Sequence, residues 1–232
     1  MKGEEEMDKY DWEEEFRRLQ EGESNRVRET ARPMYFTKKQ GEYTIEDREV
    51  FPEEFRCELI DGVVYAMAAP SSMHQLVSGA VYRKLAEYVF IHRGKCKAGY
   101  APFDLFLSPD DRRNVLQPDI FVICDNSKIT RDGVVGTPDM VIEILSPSTR
   151  AKDCGIKLQK YMQAGVRECW LVDLEKRRVY VYTQSIGEST ESILPMPITY
   201  TFDDTIPVDI FDGECKIDMA AVYGEVAFLD ER

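Results

Sequence analysis

The sequence lacks the features of several large protein classes. It has no apolar run near the roughly 18 residues that a transmembrane helix needs, and its first residues form no hydrophobic signal segment. We therefore expect a cytoplasmic protein without a membrane partner. It also has no GxGxxG or GxxxxGKS/T motif, so the usual dinucleotide and P-loop phosphate sites are not indicated.

Paired cysteines are also missing. The six cysteines stand at positions 57, 96, 124, 154, 169 and 215 and include no CxxC pair. In a chain with no signal segment, this spacing favours reduced, mostly buried thiols over a zinc site or disulfides.

Positive charge is scarce. The chain carries 30 Lys and Arg against 43 Asp and Glu, a net charge of -13. Residues 1–30 account for -5 of this, and the remainder is still acidic at -8. This balance excludes a generally basic nucleic-acid binder, so any nucleic-acid face must be a local basic patch.

The length and the apolar content predict one main domain with an appendage. With 232 residues and 43% hydrophobic composition, the chain can bury a core without a metal or disulfide. In residues 1–32, Trp12, Phe16 and Leu19 have helical spacing and a polar linker follows. We expect this amphipathic helix to dock on its own domain or to be frayed, the alternative being that it binds a partner. Residues 33–232 form the main domain.

The order of predicted elements indicates an α/β fold with a mixed β-sheet flanked by helices. A hairpin turns at Asp61-Gly62, and a helix follows from about Ser72 to His92. Strands are predicted over 97–107, 115–124 and 140–145, then a helix to about Ala164 and further strands. Residues 217–229 are predicted to form a terminal helix.

Two carboxylates stand in or beside strongly apolar strands. Asp119 opens a strand after Gln117-Pro118, and Glu143 lies in the middle of the Met140–Leu145 run. A charge in such a place is costly unless a partner or a metal compensates it. The pair therefore predicts either a Mg²⁺ site, which Mn²⁺ could also fill, or two salt-bridged core carboxylates. A divalent metal at this position suits phosphodiester hydrolysis.

A lysine on the following helix completes the pattern. Position 145, two residues after Glu143, is Leu, but the helix carries Lys152, Lys157 and Lys160. At about 100° per residue, Lys157 lies about 95° from the centre of the apolar stripe, against about 125° for Lys152 and about 155° for Lys160. Lys157 is therefore predicted to reach the site, the alternative being a pair with Asp153 at i, i+4.

Six short segments follow one another over about 40–185. They are Cys57-Glu58-Leu59-Ile60-Asp61-Gly62, Ser71 to His74, Gln117-Pro118-Asp119, Val141 to Thr149, Asp153 to Tyr161 and Gly165 to Asp173. Together they resemble the Uma-two family of restriction-endonuclease-like proteins, a branch of the PD-(D/E)XK nuclease superfamily. The resemblance implies a restriction-endonuclease-like core.

The same resemblance assigns roles to individual residues. It implies that Asp119 and Glu143 are the two metal-binding acids and that Lys157 is a catalytic lysine moved from strand to helix. Glu58 matches the family's N-terminal acid and would complete the metal shell, unless it forms a cross-strand pair with a basic residue. His74 and Asp104 match less firmly assigned positions at the site edge.

We therefore expect a Mg²⁺-dependent nuclease that acts on nucleic acid, with DNA favoured as the substrate. A homodimer is plausible, because an enzyme of this kind cuts two strands. The alternative is a non-catalytic regulatory or binding module on the same fold. A third hypothesis is a hydrolase of small phosphorylated molecules, which a closed pocket would favour. An open basic groove would favour the nuclease; its candidate residues are Arg112, Arg113, Arg150, Lys152 and Lys160.

Overall fold

The structure is a computed structural model that describes residues 36–92, 94–185 and 194–230. The helix predicted around Trp12, Phe16 and Leu19 lies outside the described residues. Among the helices that are described, none has the length and apolar character needed to cross a membrane.

Twelve strands are described, and six of them form the central sheet. In chain order the strands are β1 (Cys57–Ile60), β2 (Val63–Ala66), β3 (Lys97–Tyr100), β4 (Leu105–Phe106), β5 (Ile120–Ile123), β6 (Val134–Val135), β7 (Met140–Leu145), β8 (Glu168–Asp173), β9 (Arg178–Thr183), β10 (Ile198–Thr201), β11 (Thr205–Pro207) and β12 (Lys216–Asp218). The central order is β10-β9-β8-β7-β5-β3, in which β7 and β8 run parallel and the other neighbours antiparallel. This mixed sheet confirms the predicted fold class.

The helices lie on both sides of this sheet. They are α1 (Ile45–Glu49), α2 (Ser72–Ile91), α3 (150–163) and α4 (Met219–Gly224). Helix α3 has three parts: Arg150–Lys152, one π-helical turn at Asp153–Lys157, and Leu158–Gln163. Short 3-10 turns occur at Asn126–Lys128, Asp209–Phe211 and Ala227–Leu229.

Strand β7 is buried on both faces because its side chains alternate between two cores. Ile142 and Ile144 belong to the core that contains Val77, Val81 and Leu85 of α2. Its other side chains, Val141 and Leu145, belong to the core that contains Leu158 and Met162 of α3. The alternation follows from the two-residue period of a strand, and it puts Glu143 on the α3 side of the sheet.

The β1–β2 hairpin stands beside the sheet and turns where the sequence predicts. Asp61 and Gly62 both have positive φ, 51° and 74°, as a tight two-residue turn requires. A Cβ at Gly62 would lie 2.4 Å from the carbonyl oxygen of Gly41, so the turn also requires glycine for space. Leu59 and Val115 exchange two backbone hydrogen bonds of 2.9 and 2.7 Å, which tie the hairpin to the segment that leads into β5.

Three predicted elements are shorter than expected. The strand predicted over 115–124 is reduced to β5, because Val115 and Leu116 form isolated bridges with Leu59 and Leu105 instead of joining the sheet. The strand predicted over 97–107 is divided into β3 and β4, since Pro102 has no N–H to donate to a ladder. The predicted terminal helix begins only at Met219, because Ile217 pairs with Ile206 as part of β12. Asp218 then caps the helix by accepting a 3.0 Å hydrogen bond from the Ala221 amide.

The expectation of free thiols is wrong for two cysteines. Cys96 and Cys124 form a disulfide across 28 residues of sequence. The register explains the pairing, because Lys97 opposes Ile123 and the next pair outward is Cys96 and Cys124. The other four cysteines, at 57, 154, 169 and 215, are buried free thiols as predicted.

Candidate active site

A cleft of about 590 Å³ opens where β5 begins, β7 ends and the first turns of α2 and α3 come together. Most titratable residues singled out in the sequence line it. They are Glu58, His74, Asp119, Glu143, Lys152, Asp153 and Lys157, and Arg56 and Gln117 line it with them.

The sheet register brings Asp119 and Glu143 together. Ile120 opposes Ile142 in the antiparallel β5–β7 pair, so one further step places Asp119 opposite Glu143 and on the same face. The Ile144 amide donates a 2.7 Å hydrogen bond to Asp119 Oδ2. The two carboxylates predicted from sequence are therefore cross-strand neighbours in one cleft.

Each of these carboxylates has one oxygen held by the protein. Asp119 Oδ2 also lies 3.1 Å from His74 Nε2. Glu143 Oε1 accepts a 2.7 Å hydrogen bond from the Tyr161 hydroxyl and lies 2.7 Å from Lys157 Nζ. Within the described part of the chain, Asp119 Oδ1 and Glu143 Oε2 accept no hydrogen bond, so one oxygen of each acid remains available to a ligand.

Lys157 is shared by three carboxylates. Its Nζ lies 2.7 Å from Glu58 Oε1, 2.7 Å from Glu143 Oε1 and 3.7 Å from Asp153 Oδ1. Lys157 thus reaches Glu58 and Glu143 and also contacts Asp153 at i, i+4, and its catalytic role stays a prediction. Its side chain is only 3% exposed.

Both oxygens of Glu58 are already occupied. Oε1 accepts a 2.8 Å hydrogen bond from the Gln117 amide in addition to its contact with Lys157, and Oε2 forms an ion pair with Lys152. The basic partners of Glu58 come from α3, since its neighbour across the hairpin is Tyr65. In this arrangement Glu58 anchors two lysines, and its role as a metal ligand stays a prediction.

Charge is unevenly distributed among the buried acids. Burial would raise the pKa of Glu58, but Lys157 and Lys152 outweigh it and lower the value to about 2. Burial raises the pKa of Glu143 well above its usual value, and the negative charges of Asp153, Asp119 and Glu58 raise it further. Lys157 lowers this pKa but does not offset the other effects. Glu143 is therefore a carboxylate that favours an additional proton or cation.

Lys157 itself holds its proton. Burial would lower its pKa, but the carboxylates of Glu143 and Glu58 raise the pKa well above the usual value. The site therefore contains the charged ammonium of Lys157 next to Glu143, whose own negative charge is only partly compensated.

Lys152 is a site residue that the helical-angle argument missed. It is 7% exposed, contacts Glu58, and lies 5.9 Å above the Tyr65 ring. An angle of about 100° per residue holds for a regular α-helix. Asp153–Lys157 instead forms a wider π turn, in which the Leu158 amide donates a hydrogen bond to the Asp153 carbonyl. Tyr161, the last residue of the Asp153–Tyr161 motif, is a buried core residue whose hydroxyl also contacts Glu143.

The two edge residues have different positions. His74 lies in the first turn of α2 against Asp119; burial would lower its pKa, but Asp119 raises it. Asp104 does not line the cleft, and instead binds both arms of Arg48 at 2.7 and 2.8 Å. The structure therefore brings His74 to the site and leaves Asp104 behind it.

The cations expected to form a basic groove are largely paired with acids. Arg150 contacts Asp173 at 2.6 Å, and Lys160 contacts Asp61 at 2.5 Å. Arg112 likewise pairs with Glu46, as Lys152 does with Glu58. Four of the five candidate residues are thus locally neutralised, and the described residues form no broad groove of unpaired positive charge around the cleft.

The donor set fits a metal that uses few protein ligands. Among the residues described, no group of three or more His, Cys, Asp or Glu side chains is arranged to hold a metal. Mg²⁺ is commonly held by one or two carboxylates, with water and phosphate completing its coordination. Asp119 and Glu143, with one available oxygen each, suit that mode and do not suit a closed structural metal site.

Comparisons with known proteins identify the family. A family model named Uma2 and described as "Putative restriction endonuclease" matches residues 42–220. An uncharacterized protein of Synechocystis sp. is 32% identical over 104 residues, 45% of this chain, and the match spans only 53% of that relative. A crystal structure from Anabaena variabilis described as a "putative nuclease" shares the fold, with a TM-score of 0.60 at 21% identity, covering 78% of this chain and 97% of that one. This chain belongs to the Uma2 family, whose fold is that of the restriction-endonuclease-like nucleases.

Proposed function

We propose that the protein is a metal-dependent nuclease that hydrolyses phosphodiester bonds of nucleic acid. Asp119 and Glu143 would hold Mg²⁺, and Lys157 would assist the reaction. The observation that carries this proposal is the pair of opposed carboxylates, each with one oxygen held by the protein and one left available.

The electrostatics of the cleft support a cation at this position. Four carboxylates line the cleft, and only Lys152 and Lys157 are available as permanently charged partners for the buried ones. A divalent ion held by Asp119 and Glu143 would compensate the charge that burial makes costly at Glu143. When bound, such an ion supplies a Lewis acid that activates water and offsets the charge that builds on phosphorus.

The remaining roles follow from the contacts of Lys157. Its ammonium is charged and stands 2.7 Å from Glu143, which puts a positive charge beside one of the two proposed metal-binding acids. There it would orient the attacking water and stabilise negative charge in the transition state. Glu58 would hold Lys157 and Lys152 in place, and it would join the metal shell only if one of these contacts opened.

Cleavage assays test this proposal directly. Single-stranded and duplex DNA and RNA are incubated with Mg²⁺ or Mn²⁺ and with wild type, Asp119→Asn, Glu143→Gln or Glu168→Gln. Glu168 is a matched control, because it is a buried strand carboxylate on the opposite face, bonded to Trp170 and the Ile210 amide. We expect metal-dependent cleavage by wild type and Glu168→Gln, and at least about a hundredfold loss in the two site variants. Full activity in either site variant would overturn the metal mechanism.

A non-catalytic binding module on the same fold is the second candidate. The ion pairing of Arg150, Lys152, Lys160 and Arg112 favours it, because the cations that would grip a duplex are already used by the protein. Wild type that neither binds Mn²⁺ nor cleaves any of the substrates would establish this alternative over the nuclease.

A further inference from the structure

Arg56 differs from the other cations of the cleft. Lys152, Lys157 and His74 each contact a carboxylate. Arg56 is exposed, lines the same cleft, and has no carboxylate partner among the described residues. It is therefore the one positive group of the cleft whose charge remains available to a ligand.

A chain of hydrogen bonds fixes the group next to Arg56. Arg48 binds both oxygens of Asp104, and Asp104 Oδ1 accepts a 2.6 Å hydrogen bond from Gln117 Nε2. This orientation turns Gln117 Oε1 toward Arg56, which donates to it at 3.3 Å. Because a guanidinium has five N–H donors, most of those of Arg56 stay free for another partner.

The backbone around Arg56 is also fixed relative to the acids. The Met67 amide donates a 2.9 Å hydrogen bond to the Arg56 carbonyl, which extends the β1–β2 hairpin by one pair. Gln117, which holds the side chain, stands two residues before Asp119 on the segment leading into β5. Arg56 is thus placed on the wall of the cleft by the two elements that carry Glu58 and Asp119.

We propose that Arg56 binds a backbone phosphate of the nucleic acid, an inference that rests on the proposed nuclease function. A guanidinium suits this ligand because its planar fork matches phosphate oxygens. The contact matters more here than in a basic protein, since a chain with net charge -13 attracts no polyanion at long range. The ligand class is a phosphodiester strand lying along the cleft.

Binding without turnover tests the role of Arg56. Fluorescence anisotropy is recorded for labelled 20-nucleotide single-stranded DNA, single-stranded RNA and duplex DNA in EDTA, over a series of salt concentrations. The variants are Arg56→Gln, Arg56→Lys and Arg83→Gln, the last being an exposed arginine of α2 that pairs with Glu225 outside the cleft.

We expect Arg56→Gln to weaken binding by about tenfold and to reduce the salt slope by about one unit, independently of base sequence. Arg56→Lys should keep most of the salt slope, and Arg83→Gln should match wild type. If Arg56→Gln binds as wild type does at every salt concentration, the assignment of Arg56 is overturned.

The nuclease proposal fails separately from this one. Wild type that binds the strand but never cleaves it with metal removes the nuclease function, and the loss in Arg56→Gln still identifies a phosphate contact. Wild type that binds none of the three nucleic acids in EDTA but cleaves them with Mg²⁺ overturns the assignment of Arg56 and leaves the nuclease proposal standing. Wild type that neither binds nor cleaves any of them overturns both proposals.

Discussion

Three buried carboxylates share Lys157, and this sharing determines how well the charge of each is compensated. Glu58 keeps its charge because two lysines contact it, whereas Glu143 has only a share of one lysine and a hydroxyl. A protein that carries such an imbalance is less stable than it would be with neutral groups. The cost is understandable if the imbalance serves to bind a cation.

We expect Glu143→Gln to stabilise the metal-free protein. Because burial raises the folded-state pKa of Glu143, its contribution to stability is present below the unfolded value of about 4.5 and is lost as pH rises. The amide still accepts from Tyr161 and carries no charge. Thermal unfolding in EDTA should show a gain of order 1 kcal/mol, about 2–4 °C in Tm, that grows between pH 5 and pH 8. A lower Tm for the variant at pH 8 would contradict this reading.

Tyr161→Phe is expected to loosen Glu143 without disturbing the core. The ring is 1% exposed and would stay packed, while the 2.7 Å hydrogen bond to Glu143 Oε1 would be lost. Partners that orient a metal ligand typically change metal affinity or activity by about 10–100-fold when they are removed. Titration with Mn²⁺ should therefore show about tenfold weaker binding. Tyr182→Phe, in the same core, is the control and should bind as wild type does.

At this scale the sequence identifies the acids but not all of their partners. Asp119 and Glu143 are visible because each interrupts an apolar strand, and the family motifs point to Glu58 and Lys157. Lys152 was missed because its burial depends on the π turn, which depends on backbone hydrogen bonds rather than on side-chain periodicity. The disengagement of Asp104 depends on Arg48, which lies 56 residues away in sequence.

At the scale of elements, periodicity predicts what lies within one segment. Helix α2, strand β7 and the β1–β2 hairpin follow the expected bounds closely, since their patterns are local. The disulfide between Cys96 and Cys124 could not be predicted in the same way, because it depends on the pairing of β3 with β5. Sheet order and register are long-range properties of the fold.

The disulfide provides a test at this scale. Protein unfolded without reductant should expose four alkylatable thiols out of six, at positions 57, 154, 169 and 215. Cys96→Ser should lower the free energy of unfolding by about 2–4 kcal/mol, because the bridge closes a 28-residue separation. Peptide mapping by mass spectrometry identifies the linked pair. Six labelled thiols in the non-reduced protein would contradict the pairing.

At the scale of the whole molecule, the net negative charge disfavours the nucleic-acid binding that a nuclease requires. The net charge of -13 repels nucleic acid, while the same excess of carboxylates favours a divalent cation. The pairing of Arg150, Lys152, Lys160 and Arg112 leaves local contacts, Arg56 first among them, to hold the strand.

A divalent metal site formed by Asp119 and Glu143 can be tested without a substrate, by following Mn²⁺ binding with electron paramagnetic resonance. We predict saturable binding by wild type and by Glu168→Gln, and at least about tenfold weaker binding by Asp119→Asn and Glu143→Gln. Equal affinity in all four proteins would contradict the account.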